Sequence, residues 1–372
     1  MTVIFSTIPP FATDYSAAAS TLSDMGGLVV IHGPGGCAGS FISYDEPRCF
    51  SSPKAVFSSL MREEETVFGD DDVLKRKILS AIGPATPFIA IVGTPVTDMI
   101  GCDLEGIATE IENETGIPAV GVYTTGYNYY DKGIIRTMDA LAKRFIRKKA
   151  KREKTVNILG YNRYDFLEPF EIGAIRNFIK AQGYEVTYFQ SDDDLEKFID
   201  SPSAEKNIVL STSSIPFAKR MKEQFGTPYS TFVPSRKMGC KNLKNFLKED
   251  NYQHVPGNSK KDILVIHDQV SANTIRDILR SRFSMDADVA SFFVMEDELS
   301  ENGDTHLERE SELKVLMKKY GTVIGDPLYN AFSPKGQKFI PVPHSAVSSR
   351  LHWQRYRSLT EDSFEEFLAK QL

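Results

Sequence analysis

Cys37 ends the run His32-Gly33-Pro34-Gly35-Gly36-Cys37, and it is one of four cysteines, at 37, 49, 102 and 240. Four thiols in a chain of 372 residues are too sparse for a disulfide framework. In a reducing compartment such thiols are metal ligands, nucleophiles or packing residues. The apolar run 27–31 precedes the glycines, so Cys37 falls where a strand ends and a helix begins. Unpaired N–H groups and the positive end of a helix are expected there, and they lower a thiol's pKa. Gly33, Gly35 and Gly36 remove side chains that would block a bulky ligand brought against the backbone, and such a turn also suits a phosphate. The loop lacks the Lys-Ser/Thr ending of a P-loop and the spacing of a dinucleotide fingerprint, so the sequence offers no ATP site of its own. Three roles stand open for Cys37: metal-cluster ligand, structural thiol and nucleophile.

Holding a thiol at a strand end calls for a rigid sheet. Apolar runs of strand length recur at 27–31, 87–92, 119–122, 156–160, 184–189, 207–211, 262–266 and 321–325, and helical patterns recur at 103–115, 171–182 and 272–282. Strands that alternate with helices and Gly-rich turns form βαβ units around a parallel sheet, and such units bind ligands at the carboxyl ends of their strands. The basic stretch 143–154 is a solvated helix end and linker, and the polar stretch 251–261 is a second linker. Single cores stop growing near ~250–300 residues, so several domains are expected. Their bounds are 1–150, 151–258 and 259–345. Helical spacing over 348–372 suggests a final segment, 346–372, that packs back on a neighbour.

Hydrophobic residues make up 41% and charged residues 25% of the chain, enough apolar side chain for proper cores. A formal net charge of −6 argues against a general nucleic-acid binder, which needs a basic footprint. No run approaches the ~20 apolar residues that span a bilayer, and no Lys or Arg precedes the first apolar run as in a secretory signal. A cytoplasmic protein with no membrane partner is the expectation.

His32 to Cys37 resembles the His-Gly-Pro-x-Gly-Cys segment of the nitrogenase component 1 family. Phe68-Gly69 followed by Leu74, the stretch from Pro95 to Asp103, Gly325-Asp326-Pro327-Leu328 and Pro341-Val342-Pro343-His344 resemble further segments of that family. The resemblance implies three Rossmann-like, doubly wound parallel-sheet domains, with an iron–sulfur cluster at a subunit interface. It implies a substrate-reducing component that takes electrons from a separate ATP-dependent iron–sulfur reductase and delivers them to a small molecule, such as a tetrapyrrole. The alternative is a scaffold or carrier for metal-cofactor assembly without turnover.

The chain departs from the family at two ligand positions. Where relatives carry an upstream cysteine it reads Phe11-Ala12-Thr13-Asp14-Tyr15, and the cysteine before Pro-x-x is Thr94. A [4Fe–4S] cluster takes four ligands, usually thiolates. Cys49 and Cys102 are the candidate companions of Cys37, with Asp14 a possible carboxylate ligand. Two cysteines per chain suffice if a symmetric dimer, or a pair of similar subunits, places the same patch on both sides. Cys240 falls in a turn resembling one that faces the family's substrate cavity, while His32 and His344 stand at strand ends, as structural imidazoles or as acid–base groups.

Overall fold

The computed structural model describes residues 6–46, 56–69, 71–167, 170–234, 246–247, 255–257, 261–360 and 362–372. The chain divides into two compact units: a smaller one of residues 12–149 with 190–202, and a larger one of residues 1–11, 150–189 and 203–372.

The smaller unit is built on four strands, β1 (Leu28–Ile31), β2 (Val56–Ser58), β3 (Ile89–Val92) and β4 (Ala119–Val122), in the order β2-β1-β3-β4. Every pairing is parallel, with Leu28 opposite Ile89 and Ile89 opposite Ala119. β1, β3 and β4 are buried throughout because helices cover both faces, so they spell continuous apolar runs in place of an alternation. On one face Leu74 and Ile78 of the helix Asp71–Ala81 and Ile107 and Ile111 of the helix Leu104–Thr115 pack on Leu28, Val30, Ile89 and Ile91. Each such side chain contributes about 1.5–3 kcal/mol by leaving water.

The helices Asp14–Asp24 and Tyr130–Phe145 pack closely in the same unit. A side chain at Gly133 would meet Asp14 O at 2.0 Å, so glycine there lets the two backbones touch. Asp14 takes hydrogen bonds from the backbone N–H of Thr125 (3.0 Å) and Gly126 (2.7 Å) and from Asn128 Nδ2 (3.2 Å), and it pairs with Arg136 at 3.3 Å. Its carboxylate thus fixes the 125–128 turn.

The larger unit holds two more parallel sheets. One has the order β6-β5-β7-β8, formed by β5 (Arg152–Leu159), β6 (Glu185–Phe189), β7 (Ala204–Val209) and β8 (Tyr229–Thr231). The other runs β11-β10-β9-β12-β13, formed by β9 (Lys261–Ile266), β10 (Asp286–Ser291), β11 (Thr305–His306), β12 (Thr322–Gly325) and β13 (Lys338–Pro341). Three doubly wound parallel sheets are what the strand–turn–helix pattern led one to expect. In each sheet the chain moves first to one side of its opening strand and then returns to the other. The reversals fall between β1 and β3, β5 and β7, and β9 and β12, and such crevices are where open α/β sheets take ligands.

The basic stretch is a helix end and connector: the helix stops at Phe145, β5 starts at Arg152, and Lys149 pairs with Asp200 at 3.0 Å. The proposed linker 251–261 lies largely outside the described residues. Over 348–372 the expected helix is confined to Asp362–Gln371, preceded by a short turn at Trp353–Arg355, and Leu351 is exposed. The apolar spacing before residue 362 belongs to irregular chain held by hydrogen bonds, such as Tyr356 OH to Glu171 at 3.4 Å. No described helix is long and apolar enough to cross a membrane.

Candidate functional site

Cys37 sits three residues into the helix Gly35–Ser40, which leaves β1 at the first reversal point. Its own N–H donates to Pro34 O at 3.0 Å. The thiol is half-buried, and burial raises its pKa, while the Thr94 hydroxyl beside it acts the other way. The sequence led to the opposite expectation, a thiol lowered by the helix end. A six-residue helix has little dipole to set against desolvation.

Two neighbours of Cys37 are Thr94, where one companion cysteine is missing, and Tyr15, at the end of the stretch Phe11–Tyr15 that lacks the other. Thr94 follows β3, its hydroxyl donates to His32 O at 2.9 Å, and a Cβ at Gly33 would meet that hydroxyl at 2.4 Å. Tyr15 lies close enough for the Cys37 charge to act on its phenol, whose pKa is raised by burial first, then by Asp45 and Cys37. Asp45 is partly buried, desolvation raises its pKa, and it accepts from Ser16 Oγ at 2.7 Å and Thr13 Oγ1 at 3.2 Å. Residues 15, 37 and 94 therefore converge, yet Cys37 is the one thiol among them.

The three glycines differ. Gly33 is required by the approach of Thr94, Gly35 has Leu60 Cδ2 at 3.2 Å from a built Cβ, and Gly36 opens on empty space. His32 is structural: its Nδ1 lies 2.9 Å from Ser59 Oγ, and burial pushes its pKa down to about 4, so the ring is neutral.

Cys102, the other candidate among the described residues, has neighbours of its own. Cys102 follows the helix Pro95–Met99, packs against the core around Leu104, and has Asp71 and Asp103 as its charged neighbours. Burial, then those carboxylates, pushes its thiol up to about 11. It lines a separate cavity of about 320 Å³ with Thr97, Asp98, Asp103 and Tyr123. Cys49 and Cys240 lie outside the described residues.

The larger unit contains a second polar centre, of which the sequence singled out His344 alone. Asp165, after β5, hydrogen-bonds His344 Nε2 at 2.8 Å and accepts from Asn162 Nδ2 and Ser211 Oγ, each at 2.7 Å. His344, after β13, stacks on His267, after β9, with ring centroids 4.1 Å apart. Asp268 accepts from the N–H groups of Thr212 (3.0 Å), Val270 (3.1 Å) and Ser271 (3.2 Å). All four side chains are buried. Burial drives the His267 pKa well below its usual value, with His344 adding to the effect, and burial with Asp165 raises Asp268 to about 7. A signal did exist: each of these residues lies shortly after a buried strand. Asp165 and His344 stand 179 positions apart in sequence, so nothing local joined them.

Comparison with known proteins gives a consistent picture. The family model described as "Nitrogenase component 1 type Oxidoreductase" matches residues 14–249. The nitrogenase molybdenum-iron protein alpha chain of Methanosarcina barkeri is 25% identical over 235 residues, 59% of this chain and 43% of its own. The nitrogenase iron-molybdenum cofactor biosynthesis protein NifE of Methanococcus maripaludis is 25% identical over 209 residues, 54% of this chain and 43% of its own. The chain thus spans under half the length of these curated relatives. The solved structure of nitrogenase Cp1 at pH 6.5 superposes with a TM-score of 0.72 at 14% identity, covering 100% of this chain and 93% of that one, a likeness of fold.

Proposed function

The chain belongs to the nitrogenase component 1 type oxidoreductases, and from that premise we propose that it is the substrate-reducing component of a two-component reductase, fed by a separate ATP-dependent iron–sulfur protein. The observation that carries the reading is the convergence of residues 15, 37 and 94 at the first reversal point, beside a thiol at the carboxyl edge of the sheet. A coarser statement holds without it: the relatives are nitrogenase-like oxidoreductases and a cofactor-biosynthesis protein.

The described residues of one chain do not match the ligand set of an iron–sulfur cluster. A [4Fe–4S] centre takes four ligands, and here one thiol stands among hydroxyls and a phenol. No step of electron transfer is therefore assigned to these side chains. What this chain supplies is a half-buried thiol, a loop closed by the Gly33–Thr94 contact, and an apolar rim. Ile42, Tyr44, Leu60, Phe68, Met99 and Ile100 are large apolar residues exposed on the segments that leave the carboxyl ends of β1, β2 and β3. Large apolar side chains left in water on segments leaving one edge of the sheet support an interaction-site reading. We assign this edge to a second copy of the chain or a similar subunit, whose own Cys37, with Cys49 or Cys102 from each side, would complete a shared [4Fe–4S] site. The substrate is a small conjugated molecule of the tetrapyrrole kind, and the setting is the cytoplasm.

The test is anaerobic purification with iron and sulfide analysis and an EPR spectrum after dithionite. About four irons per dimer, lost in Cys37→Ala, is the expected result; an iron-free protein under strict anaerobic handling overturns the reading. A second reading, a scaffold for cofactor assembly, draws on the single-thiol donor set and on the likeness to the biosynthesis protein. Mixing with a nitrogenase-reductase-like partner and ATP divides the two. Reoxidation that depends on added substrate supports the reductase, and reduction without it supports the scaffold.

A further inference from the structure

Residues 6–11 belong to the larger unit and pair with no described strand, and the side chains that hold them, Glu310, Phe292, Phe293 and Tyr329, lie beyond the stretch 14–249 matched by the family model. We propose that this segment is a releasable strap: the Glu310 carboxylate latches one end, the Phe11 ring closes the crevice at the carboxyl end of β9 with the other, and both let go together while the sheet stays folded.

The latch is a single carboxylate. Glu310 accepts from Ser6 Oγ at 3.0 Å and from the backbone N–H groups of Thr7 at 3.0 Å and Ile8 at 3.1 Å. It is the first residue of the helix Glu310–Met317, where an acidic side chain ordinarily serves the N–H groups of its own helix end. Glu312 fills that role here, accepting from the N–H of Arg309 at 3.2 Å and of Glu308 at 2.8 Å. Glu310 is thereby left to the strap, and it is buried against it. Among the described residues, the hydrogen bonds of Ser6, Thr7 and Ile8 all go to Glu310, so the strap's backbone depends on that one group.

The plug is aromatic. The buried Phe11 ring lies 5.3 Å from Phe292, 5.8 Å from Phe293 and 6.2 Å from Tyr329, and Phe292 and Tyr329 stack at 5.9 Å. Phe292 and Phe293 follow β10, and Tyr329 lies in the turn after β12. The sheet order puts β9 between those two strands, so the rings span its end at the reversal between β9 and β12. Such a crevice is an entrance for ligands in open α/β sheets. Latched, the strap covers this entrance; released, it uncovers an aromatic mouth.

Pro9 and Pro10 join latch to plug, and both are exposed. Their fixed φ makes a stiff spacer, so release at Glu310 is passed on to Phe11 in place of being absorbed by slack chain. A segment held by one carboxylate and one ring cluster opens at far lower cost than a buried sheet.

The experiment is hydrogen exchange of the tag-free full chain, with hydroxyl-radical footprinting of Phe292 and Tyr329. In wild type the Thr7 and Ile8 amides should exchange at least tenfold faster than those of β9 and β12, yet at least tenfold slower than in an unstructured chain. Glu310→Gln should remove that protection and raise footprinting of Phe292 and Tyr329 at least threefold, with the slow exchange of β9 and β12 retained. If Glu310→Gln does not fold, Ser6→Ala deletes one donor at an exposed position and must show the same changes in smaller degree. Strap amides that exchange only together with β9 and β12, strap amides without protection in wild type, or a variant that frees Thr7 and Ile8 while Phe292 and Tyr329 stay covered overturns the inference. None of these readouts involves Cys37 or iron, so this inference and the proposed function fail separately.

Discussion

Thr94 and His32 show how much one side chain decides at the Cys37 loop. Thr94→Cys would place a second sulfur beside Cys37, in the position whose side chain crowds Gly33. We expect it to raise the iron and sulfide retained after anaerobic reconstitution. In air the introduced thiol should form a disulfide with Cys37, visible as lost thiol titre. If neither changes, the two positions are not adjacent. His32 carries a pH signature. Its folded pKa of about 4 lies below the unfolded value near 6.5, so the unfolded chain takes up the proton first as pH falls. The stability this gives is present above about pH 6.5 and is lost toward pH 4, a change of up to roughly 3 kcal/mol. His32→Gln should flatten that limb of a denaturation-versus-pH curve; an unaltered slope would assign the acid lability elsewhere. Residues of this kind were legible in part. His32, Cys37 and His344 announced themselves by following strands, whereas Asp165 and His267 look like any loop acid or imidazole until the fold joins them.

Elements were legible where burial leaves a plain mark. β1, β3 and β4, buried on both faces, are continuous apolar runs that the sequence displays directly. β10 escapes such a reading because Asp286 and Asp288 interrupt its pattern, although both are buried, Asp286 against Arg280 at 2.7 Å and Asp288 against Lys261 at 2.9 Å. The helix Asp14–Asp24 escapes it for the opposite reason: its alanines and serines are buried on every side, so it shows no apolar stripe. That helix depends on close approach. Gly133→Ala places a methyl group 2.0 Å from Asp14 O, and the backbones must separate. We expect a loss of about 1–3 kcal/mol in denaturant unfolding. Gly36→Ala, with open space at its Cβ, is the matched control and should leave the midpoint within experimental error.

At the scale of the whole molecule, the apolar rim makes self-association the measurable quantity. Phe68 is 84% exposed and Met99 77%, and neither belongs to the core. Sedimentation of wild type should show a concentration-dependent dimer, and Phe68→Glu with Met99→Glu should shift it to monomer with an unchanged melting temperature. A wild type that stays monomeric at high concentration would remove the shared-site reading. The three sheets could be anticipated because a strand, a turn and a helix recur along the chain. The division into two compact units could not, since residues 190–202 return to the smaller unit after β6 has been made.

The pairing of the helices Asp14–Asp24 and Tyr130–Phe145 also sets an order of events on the ribosome. The first is only 11 residues long and has little tendency to hold helical form alone, and its partner is synthesised more than a hundred residues later. Contacts so distant in sequence form late. The nascent smaller unit must therefore wait, with its sheet half covered, until Phe145 has left the exit tunnel, and residues 190–202 join only later. Arrested chains of increasing length should turn protease-resistant over residues 14–145 abruptly at that point, and a chaperone that shields apolar strands would have its longest engagement before it.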